Sequence, residues 1–344
     1  MSLRTAIETG DLAELPSRRD EDWRWTDLRG LLRALPERST TYAGALPAGP
    51  FDAVAEEVVQ VINGEVRTAL TMFDGGEHAV AFRYVSAPGA GAHTAVPHLD
   101  VSNGRLVILE SFEGRGAGYV SEIDMTLAVG PGGSVERIVL AEDADDAVSV
   151  SRWDVTLAPG AKFAQTLVST GARRQRLETH VAHPGGGAEV RLDGLYLLGD
   201  RRQSDITTVV THDGVGGTTQ QLVKGVVRDQ SRAVFQGRII VAHGADQTDA
   251  RMGHHALVLD DRAEVDAKPE LEIYADDVSC AHGNTVGALD EDALFYAEQR
   301  GIPHAEARAL MTEAFVGEVV DRIEHEGARA IVRAWVAERL RGAP

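Results

Sequence analysis

Cysteine and long apolar runs are what this sequence has least of. Cys280 is the single cysteine in 344 residues, so the chain has no internal disulfide framework. No run of about 18 apolar residues occurs, so no segment is expected to span a membrane. Charges interrupt residues 1–16 every few positions, unlike the apolar core of a signal peptide. Together these absences predict a cytoplasmic protein.

Positive charge is also scarce. Lysine and arginine number 34 against 53 aspartate and glutamate residues, which gives a net charge of −19. Because so large an acidic excess repels phosphate backbones and anionic membranes, we expect no nucleic-acid and no membrane partner. The short runs Arg173-Arg174 and Arg201-Arg202 are interpreted as solvated loop residues rather than binding patches.

Three regions differ in texture. Residues 1–50 start with leucines among charges, which predicts a helical unit to about residue 35, anchored by Trp23 and Trp25 and followed by a linker. Residues 51–285 contain short apolar runs separated by glycine and proline turns. Residues 286–344 return to a helical spacing of apolar positions. We therefore expect a strand-rich core between two helical regions.

Similar runs recur in the central region. TLAVGPGGSVERIVL (126–140) and TLAPGAKFAQTLVS (156–169) share their first three residues, and a third glycine-rich turn lies within 181–198. Each unit has the pattern strand–turn–strand without an intervening helix, which favours the stacked coils of a β-helix. A sandwich or a barrel of short strands is the alternative.

The C-terminal region predicts capped helices. Asp290 is a suitable N-cap for a first helix that stops at Gly301, and Pro303 is suited to open the next. Apolar positions then follow at helical spacing: Leu310, Ala314, Phe315, Val319 and Ile323, and later Ile331, Val332, Trp335, Val336 and Leu340. These helices either cap the end of the β-helix or present an apolar stripe to another protein.

Residues 268–290, KPELEIYADDVSCAHGNTVGALD, hold the best chemical lead. In an extended segment Cys280 and His282 share a face, so a thiolate and an imidazole could bind one metal ion side by side. A lone cysteine is more often a small buried hydrophobe. Because a tetrathiolate iron–sulfur site needs four cysteines, any cluster bound here would have to be shared with another chain. His212, His243 and the pair at 254–255 fit no recognised metal pattern.

Other enzyme signatures are missing. The sequence contains no G-x-x-x-x-G-K-[ST] phosphate-binding loop, no H-E-x-x-H and no G-x-S-x-G. The neighbouring carboxylates Asp276 and Asp277 leave one alternative open, a β-helical carbohydrate-active enzyme. Adjacent strand residues point to opposite faces, however, so a turn or a strand end is the simpler reason for this pair.

Four segments carry a family resemblance. They are EDWRWTDL (21–28), FQGRIIVAHGADQTDARM (235–252), the run at 268–290, and LFYAEQRGIPHAEARALMTEAFVGEV (294–319). Together they resemble the SufD family of iron–sulfur cluster assembly proteins, within the SufB/SufD superfamily. The match is dense in the C-terminal third and looser elsewhere. The low cysteine count favours SufD over SufB.

This resemblance implies a fold and a role. It implies a right-handed parallel β-helix core (51–285) between helical regions (1–50 and 286–344). It also implies a non-catalytic scaffold that pairs with a SufB-like subunit and docks a SufC-like ATPase through residues 286–344. ATP would then act only through that ATPase, a transient iron–sulfur cluster would be shared with the partner, and a flavin could bind within the complex. Deleting residues 291–344 should abolish ATPase binding and leave the β-helix folded.

The resemblance also bears on the site residues. The family's CSHGAT motif supplies an interface histidine, which corresponds to His282 with Cys280 beside it. Here that motif reads CAHGNT (280–285), and Gly253-His254-His255 stands where an Asn-His-Asn-like run is common, so no role is assigned to His254 or His255. An unpaired β-helix edge would also allow the isolated chain to form a homodimer.

Overall fold

The N-terminal region folds into short helical pieces. The computed structural model of the protein describes residues 2–68 and 75–341. It contains helices α1 (Leu3–Thr9) and α2 (Leu28–Leu31) and two 3₁₀ turns, Leu12–Glu14 and Glu21–Trp23. Helix α1 ends at Gly10, which adopts a left-handed conformation with φ of 76° that glycine tolerates without strain. The helical unit expected over residues 1–35 is therefore interrupted rather than continuous.

Strands occupy the central region. They are β1 (Glu57–Ile62), β2 (Glu65–Val66), β3 (Glu77–Ser86), β4 (Ala92–Ala95), β5 (His98–Val101), β6 (Arg105–Gly114), β7 (Val120–Val129), β8 (Ser134–Glu142), β9 (Val148–Leu157), β10 (Lys162–Ser169), β11 (Arg174–His183), β12 (Glu189–Leu198), β13 (Gln203–His212), β14 (Thr218–Val227), β15 (Arg232–Val241), β16 (Asp249–Val258), β17 (Glu264–Ile273) and β18 (Ser279–Gly287). Turns that are rich in glycine and aspartate join them, and four aspartate, asparagine or glutamine residues adopt positive φ there.

Three helices follow the strands. They are α3 (Glu291–Gln299), α4 (His304–Asp321) and α5 (Glu326–Arg341). The Asp290 side chain accepts hydrogen bonds from the N–H groups of Asp292 and Ala293 and so caps α3 as the sequence predicts. Pro303 lies immediately before α4, at its N-cap. Among the residues that the structure describes, no helix combines the length and apolarity that a bilayer crossing requires.

The strands wind into a parallel β-helix. A ten-stranded sheet has the order β18-β16-β14-β12-β10-β8-β6-β3-β1-β2, and an eight-stranded sheet has the order β17-β15-β13-β11-β9-β7-β4, with β5 also paired to β7. Apart from the antiparallel pair β1–β2, neighbouring strands are parallel. From β6 onward the chain alternates between the two sheets, so each coil contributes one strand to each. The prediction of a β-helix is confirmed.

The sequence repeat and the structural repeat do not coincide. The two TLA runs lie in β7 and β9, which are neighbours in the eight-stranded sheet, but Thr126 pairs with Asp154 and Ala128 pairs with Thr156. The runs are therefore stacked two residues out of step. The spacing between similar turns can differ from the number of residues between paired strand positions, because turn length varies from coil to coil.

The interior between the sheets is an apolar core that runs along the β-helix. It also encloses a buried ion pair, in which Arg137 donates from Nε to Oε2 of Glu110 over 2.6 Å. The Arg137 guanidinium lies 4.1 Å from the ring centroid of Trp153 and donates to Gln165. Burial raises the pKa of Glu110, while the charge of Arg137 opposes that shift.

The N-terminal region covers the outer face of the eight-stranded sheet. Leu3, Ala6 and Ile7 of α1 belong to an apolar cluster that includes Val120 and Val148 of the sheet. Next to it lies the EDWRWTDL segment, residues 21–28. This segment therefore serves as part of the cover of the β-helix.

A buried arginine fastens that segment. The Arg176 side chain donates to Asp205 and Glu178 and to the backbone carbonyl of Asp22, and its guanidinium lies 4.3 Å from the ring centroid of Trp23. Burial alone would lower the pKa of Arg176, but the two carboxylates raise it above its ordinary value. The expectation that tryptophan anchors the N-terminal unit is met by Trp23 through this contact.

The C-terminal helices cover the outer face of the ten-stranded sheet. Buried side chains of α4 and α5, among them Val316, Val319, Val332 and Val336, form one apolar cluster with strands β3 to β16. The carboxylate of Glu136 in β8 accepts hydrogen bonds from the N–H groups of residues 324 and 325, just before α5. The helices therefore lie along the side of the β-helix rather than across its end.

The Arg176 cluster generates a first prediction. Substituting Arg176→Met removes the buried cation that Asp205 and Glu178 share and leaves Asp205 without an ion-pair partner, so we expect a loss of about 3–5 kcal/mol in the free energy of unfolding. Urea denaturation followed by circular dichroism measures this loss. As a matched control, Arg251→Met breaks an arginine–carboxylate pair of the same i, i+2 spacing that is solvent-exposed, and should cost less than about 1 kcal/mol. Equal losses in both variants would contradict an anchoring role for Arg176.

Candidate functional site

The β-helix has an open end at strands β17 and β18. Each is the last strand of its sheet, with a paired neighbour on one side and none of the described residues on the other. Burial falls accordingly, since the side chains of β17 are half-buried and those of β18 are mostly exposed. Apolar interior residues reach the surface here: Val265, Ala267, Leu271, Ala275, Val278 and Cys280 pack only partly against the core.

Backbone hydrogen bonds show which groups face the open edge. Glu264 donates its N–H to Ser231, and Ser279 donates its N–H to Thr248, so these residues bond to the preceding coil. Successive residues of a strand point their N–H and C=O groups to opposite sides within the sheet. The odd-numbered residues of β17 and the even-numbered residues of β18 therefore direct these groups to the open edge. Pro269 occupies one of the outward positions of β17, where its missing N–H costs no ladder bond within this chain.

Cys280 and His282 lie on the inward-facing side of β18. Cys280 pairs with Ala250 and His282 pairs with Met252, and both partners belong to the interior core. Both side chains therefore point to the interior of the β-helix at its open end, where a further coil would cover them. Cys280 is half-buried and His282 is exposed. Burial raises the pKa of the Cys280 thiol, and the nearby carboxylate of Asp249 raises it further against a hydrogen bond to the Ala250 backbone.

A buried histidine supports this part of β18 from below. Nε2 of His254 in β16 accepts a hydrogen bond from the Tyr196 hydroxyl over 2.9 Å. Its Nδ1 donates a hydrogen bond to the side-chain oxygen of Asn284 over 2.7 Å. Its ring stacks on Phe235 with 4.7 Å between centroids. Burial lowers the pKa of His254 to about 4, so the ring is neutral at pH 7. Asn284, two residues after His282, is thus held by the coil beneath it.

Asn284 is a site residue that sequence reasoning did not single out. The available signal was its i+2 and i+4 relation to His282 and Cys280, which places all three on the inward face of one strand. His255 faces outward instead, where its Nδ1 lies 2.7 Å from the Thr285 hydroxyl. The two adjacent histidines therefore support opposite faces of β18.

The remaining histidines named from the sequence are not brought to this site. His212 is buried in the interior and stacks on His183 with 4.2 Å between ring centroids. His243 lies in the turn after β15, with its ring 5.5 Å from that of Tyr274. Within residues 2–68 and 75–341, no group of three or more histidine, cysteine, aspartate or glutamate side chains is placed to hold a metal ion.

Asp276 and Asp277 lie in the exposed bend between β17 and β18. The carbonyl of Asp277 accepts the N–H of Gln247, so this residue has a structural part in joining two turns. The sequence favours a turn or a strand end over a catalytic pair at these two residues, and the observed bend agrees with that interpretation.

A second exposed feature is the outer side of the C-terminal helices. The predicted apolar stripe is divided, because Val319 of α4 and Ile323 just after it are buried against the β-helix while about half of the Leu310 side chain is exposed. Phe295 and Tyr296 of α3 are exposed by 62% and 60%. The Tyr296 hydroxyl accepts a hydrogen bond from Arg300, the residue at the C-cap of α3, which leaves Phe295 and Leu310 as apolar side chains in water.

Comparisons with known proteins match this chain to a family. A family model described as "SUF system FeS cluster assembly, SufBD core domain" matches residues 92–315. Among similar proteins, the iron–sulfur cluster assembly protein SufD of Escherichia coli is 32% identical over 71% of this chain and 58% of its own length. An iron–sulfur cluster assembly SufBD family protein of Synechocystis is 29% identical over 64% of this chain and 49% of its own.

A mycobacterial relative aligns more completely. An iron–sulfur cluster assembly SufBD family protein of Mycobacterium bovis is 27% identical over 96% of this chain and 90% of its own length. By contrast, this chain spans about half the length of the Escherichia coli and Synechocystis relatives.

The buried His254 generates a prediction about pH. Its pKa is about 4 when folded and about 6.5 when unfolded, so its contribution to stability is complete above pH 6.5 and is lost as pH falls toward 4. The full loss corresponds to about 3 kcal/mol, since one pKa unit is about 1.4 kcal/mol. In His254→Gln, urea midpoints measured between pH 7 and 4 should therefore depend less on pH than those of the wild type.

The exposed His282 provides the control for that measurement. His282→Gln makes the same substitution at an exposed histidine of the neighbouring strand, and its urea midpoints are measured over the same pH range. An unchanged pH dependence in His254→Gln would contradict the assignment of His254 as a buried neutral imidazole.

Proposed function

This chain belongs to the SufBD family of iron–sulfur cluster assembly proteins, and we propose that it acts there as a non-catalytic scaffold subunit. In this proposal it pairs with a SufB-like subunit and docks a SufC-like ATPase. The observation that carries the proposal is the open end of the β-helix, where Cys280 and His282 share the face that a further coil would cover.

The open end favours a partner that is itself a β-helix. Two terminal strands of ten and nine residues offer unpaired backbone groups, and half-buried interior side chains lie between them. A partner strand added to β18 would lie about 4.8 Å away and satisfy those groups by β-augmentation. An end with the same fold would also cover the apolar interior, which a globular surface would cover less completely.

The shared cluster site follows from this pairing. A strand stacked on β18 would place its inward side chains directly above Cys280 and His282, within reach of one ion or cluster. Thiolate and imidazole suit iron and other transition metals. The raised thiol pKa means that Cys280 is protonated in the isolated chain, so ligation would displace its proton. The iron–sulfur cluster is therefore cargo that two subunits hold together, and this chain supplies one side.

The ATPase surface is proposed for the C-terminal helices. Phe295 and Leu310 are apolar side chains exposed to water on α3 and α4, which is the expected composition of an anchor for a partner protein. The opposite sides of α4 and α5 are occupied by the β-helix. Docking on the exposed side would leave the packing of the helices intact.

Removing Cys280 or His282 tests the shared site. The chain is reconstituted with SufB-like and SufC-like proteins, ferrous iron and sulfide under anaerobic conditions, and iron and sulfide are counted per complex. We expect His282→Ala to lower cluster retention by at least about tenfold, since even the loss of a group supporting a metal ligand costs that much. Cys280→Ser should also lower it, because a hydroxyl is a poorer ligand for iron than a thiolate.

Two observations keep that experiment interpretable. His98→Ala removes an exposed histidine from β5, at the far end of the β-helix, and should retain the wild-type cluster content. Complex formation by size-exclusion chromatography should survive in all variants, because the substitutions leave the strand edges and most of the apolar interior of the open end in place. Wild-type cluster content in His282→Ala would overturn its role as a ligand, and a homodimer that excludes the SufB-like protein would overturn the scaffold proposal.

A separate prediction concerns the ATPase. The double variant Phe295→Ala/Leu310→Ala should weaken binding of a SufC-like ATPase by at least about tenfold, as expected when two apolar anchors are truncated. Isothermal titration calorimetry measures the affinity. The deletion of residues 291–344 is a poorer test, because it would uncover the apolar outer face of the ten-stranded sheet.

Val286→Ala is the matched control for the ATPase experiment. Val286 is also exposed by about half, but it lies on β18 at the open end. Its truncation should leave ATPase affinity unchanged. Unaltered affinity in Phe295→Ala/Leu310→Ala would instead show that this side of the helices is not the docking surface.

A further inference from the structure

Arginines that are distant in the sequence meet along one edge of the β-helix. Arg173 lies in the turn between β10 and β11, Arg174 is the first residue of β11, and Arg201 and Arg202 lie between β12 and β13. Arg262 lies two coils further on, between β16 and β17, beyond the turn that holds Asp229 and Gln230. Because strands stack about 4.8 Å apart, corresponding turns of successive coils are neighbours. The five arginines line one cleft of about 540 Å³.

Most of these cations lack a carboxylate partner. Arg202 is engaged by Asp145 and by backbone carbonyls of neighbouring turns. The side chains of Arg173, Arg201 and Arg262 form no ion pair or hydrogen bond with any of residues 2–68 and 75–341. This is unusual for a chain with a net charge of −19, in which acidic groups are abundant.

Arg174 shows that the positive charges are crowded. Its Nη1 donates to the carbonyl of Arg173 over 2.7 Å, while its Nε is buried without a partner. Burial lowers the pKa of Arg174, and the like charges of Arg232 and Arg173 lower it further. An anion in the cleft would relieve this repulsion and provide an acceptor.

The acidic residues of the cleft do not neutralise it. Five arginines face three aspartates. Asp145 is engaged by Arg202, and the carboxylate of Asp229 accepts the backbone N–H of Asp200. The unpaired guanidinium groups therefore remain the available binding groups of the cleft.

We propose that this cleft binds a multivalent oxyanion of the diphosphate type, free or as part of a phosphorylated small molecule. Guanidinium groups bind phosphate oxygens through paired N–H donors, and several of them at coil spacing suit two linked phosphates better than a single charge. The cleft has the volume of a small-ligand site. The proposal does not depend on cluster assembly or on the open end of the β-helix.

Inorganic pyrophosphate is the probe for this site. Isothermal titration calorimetry of the full chain at constant ionic strength should give saturable binding. The triple variant Arg173→Gln/Arg201→Gln/Arg262→Gln should weaken binding by at least about tenfold, since it removes several charge-assisted hydrogen bonds. Thermal unfolding should be unchanged, because these three side chains are exposed.

A charge-matched variant controls for net charge. Arg18→Gln/Arg19→Gln/Arg33→Gln removes three exposed arginines from the N-terminal region and should retain the wild-type affinity for pyrophosphate. No binding by the wild type, an equal loss of affinity in both triple variants, or equal affinity for sulfate would each overturn the proposal. Saturable binding that only the cleft variant loses would establish the site.

Discussion

Each coil of this β-helix covers the apolar side chains and the backbone groups of the coil before it, and the last coil lacks that cover. Stacking of parallel strands satisfies both requirements along the whole length of the core. At β17 and β18 neither requirement is met within the described chain. The same repetition that stabilises the core therefore leaves, at its end, an apolar surface bordered by two strand edges that have no neighbour among the described residues. Cys280 and His282 lie on that surface, which is why we propose the cluster site there.

The open end carries features that oppose pairing with arbitrary exposed strands of other proteins. Along β17, apolar side chains that face the interior alternate with charged side chains on the outer face of the sheet. The charged residues are Glu264, Asp266, Lys268, Glu270 and Glu272. Pro269 removes one donor from the free edge. Charge and proline on an edge strand oppose indiscriminate pairing. In the pairing that we propose, the partner strand opposite Pro269 would need no acceptor at that position.

The sequence was sufficient for the fold and the family but not for the contacts. Short apolar runs separated by glycine turns predict stacked coils, and the motif around Cys280 predicts the family and the shared face with His282. The strand register was not predictable, because turn similarity and strand pairing differ by two residues at Thr126 and Thr156. The burial of α4 was not predictable either, because the sequence of an apolar stripe is the same whether its own chain or a partner protein covers it. The Arg173 and Arg201 runs look like separate solvated loops until the coils bring them together.

The helical tail and the open end are not independent parts. Glu318 of α4 forms an ion pair with Lys224 of β14, and the Lys224 ammonium lies 4.5 Å from the ring centroid of Phe315. Lys224 pairs in register with His255, whose pKa is lowered by burial and by the charge of Lys224, and His255 in turn contacts Thr285 of β18. Two strands therefore separate α4 from the edge that carries Cys280 and His282. A displacement of α4 has to break the Glu318–Lys224 pair or carry Lys224 with it, so it would act close to the strand on which we propose the cluster site.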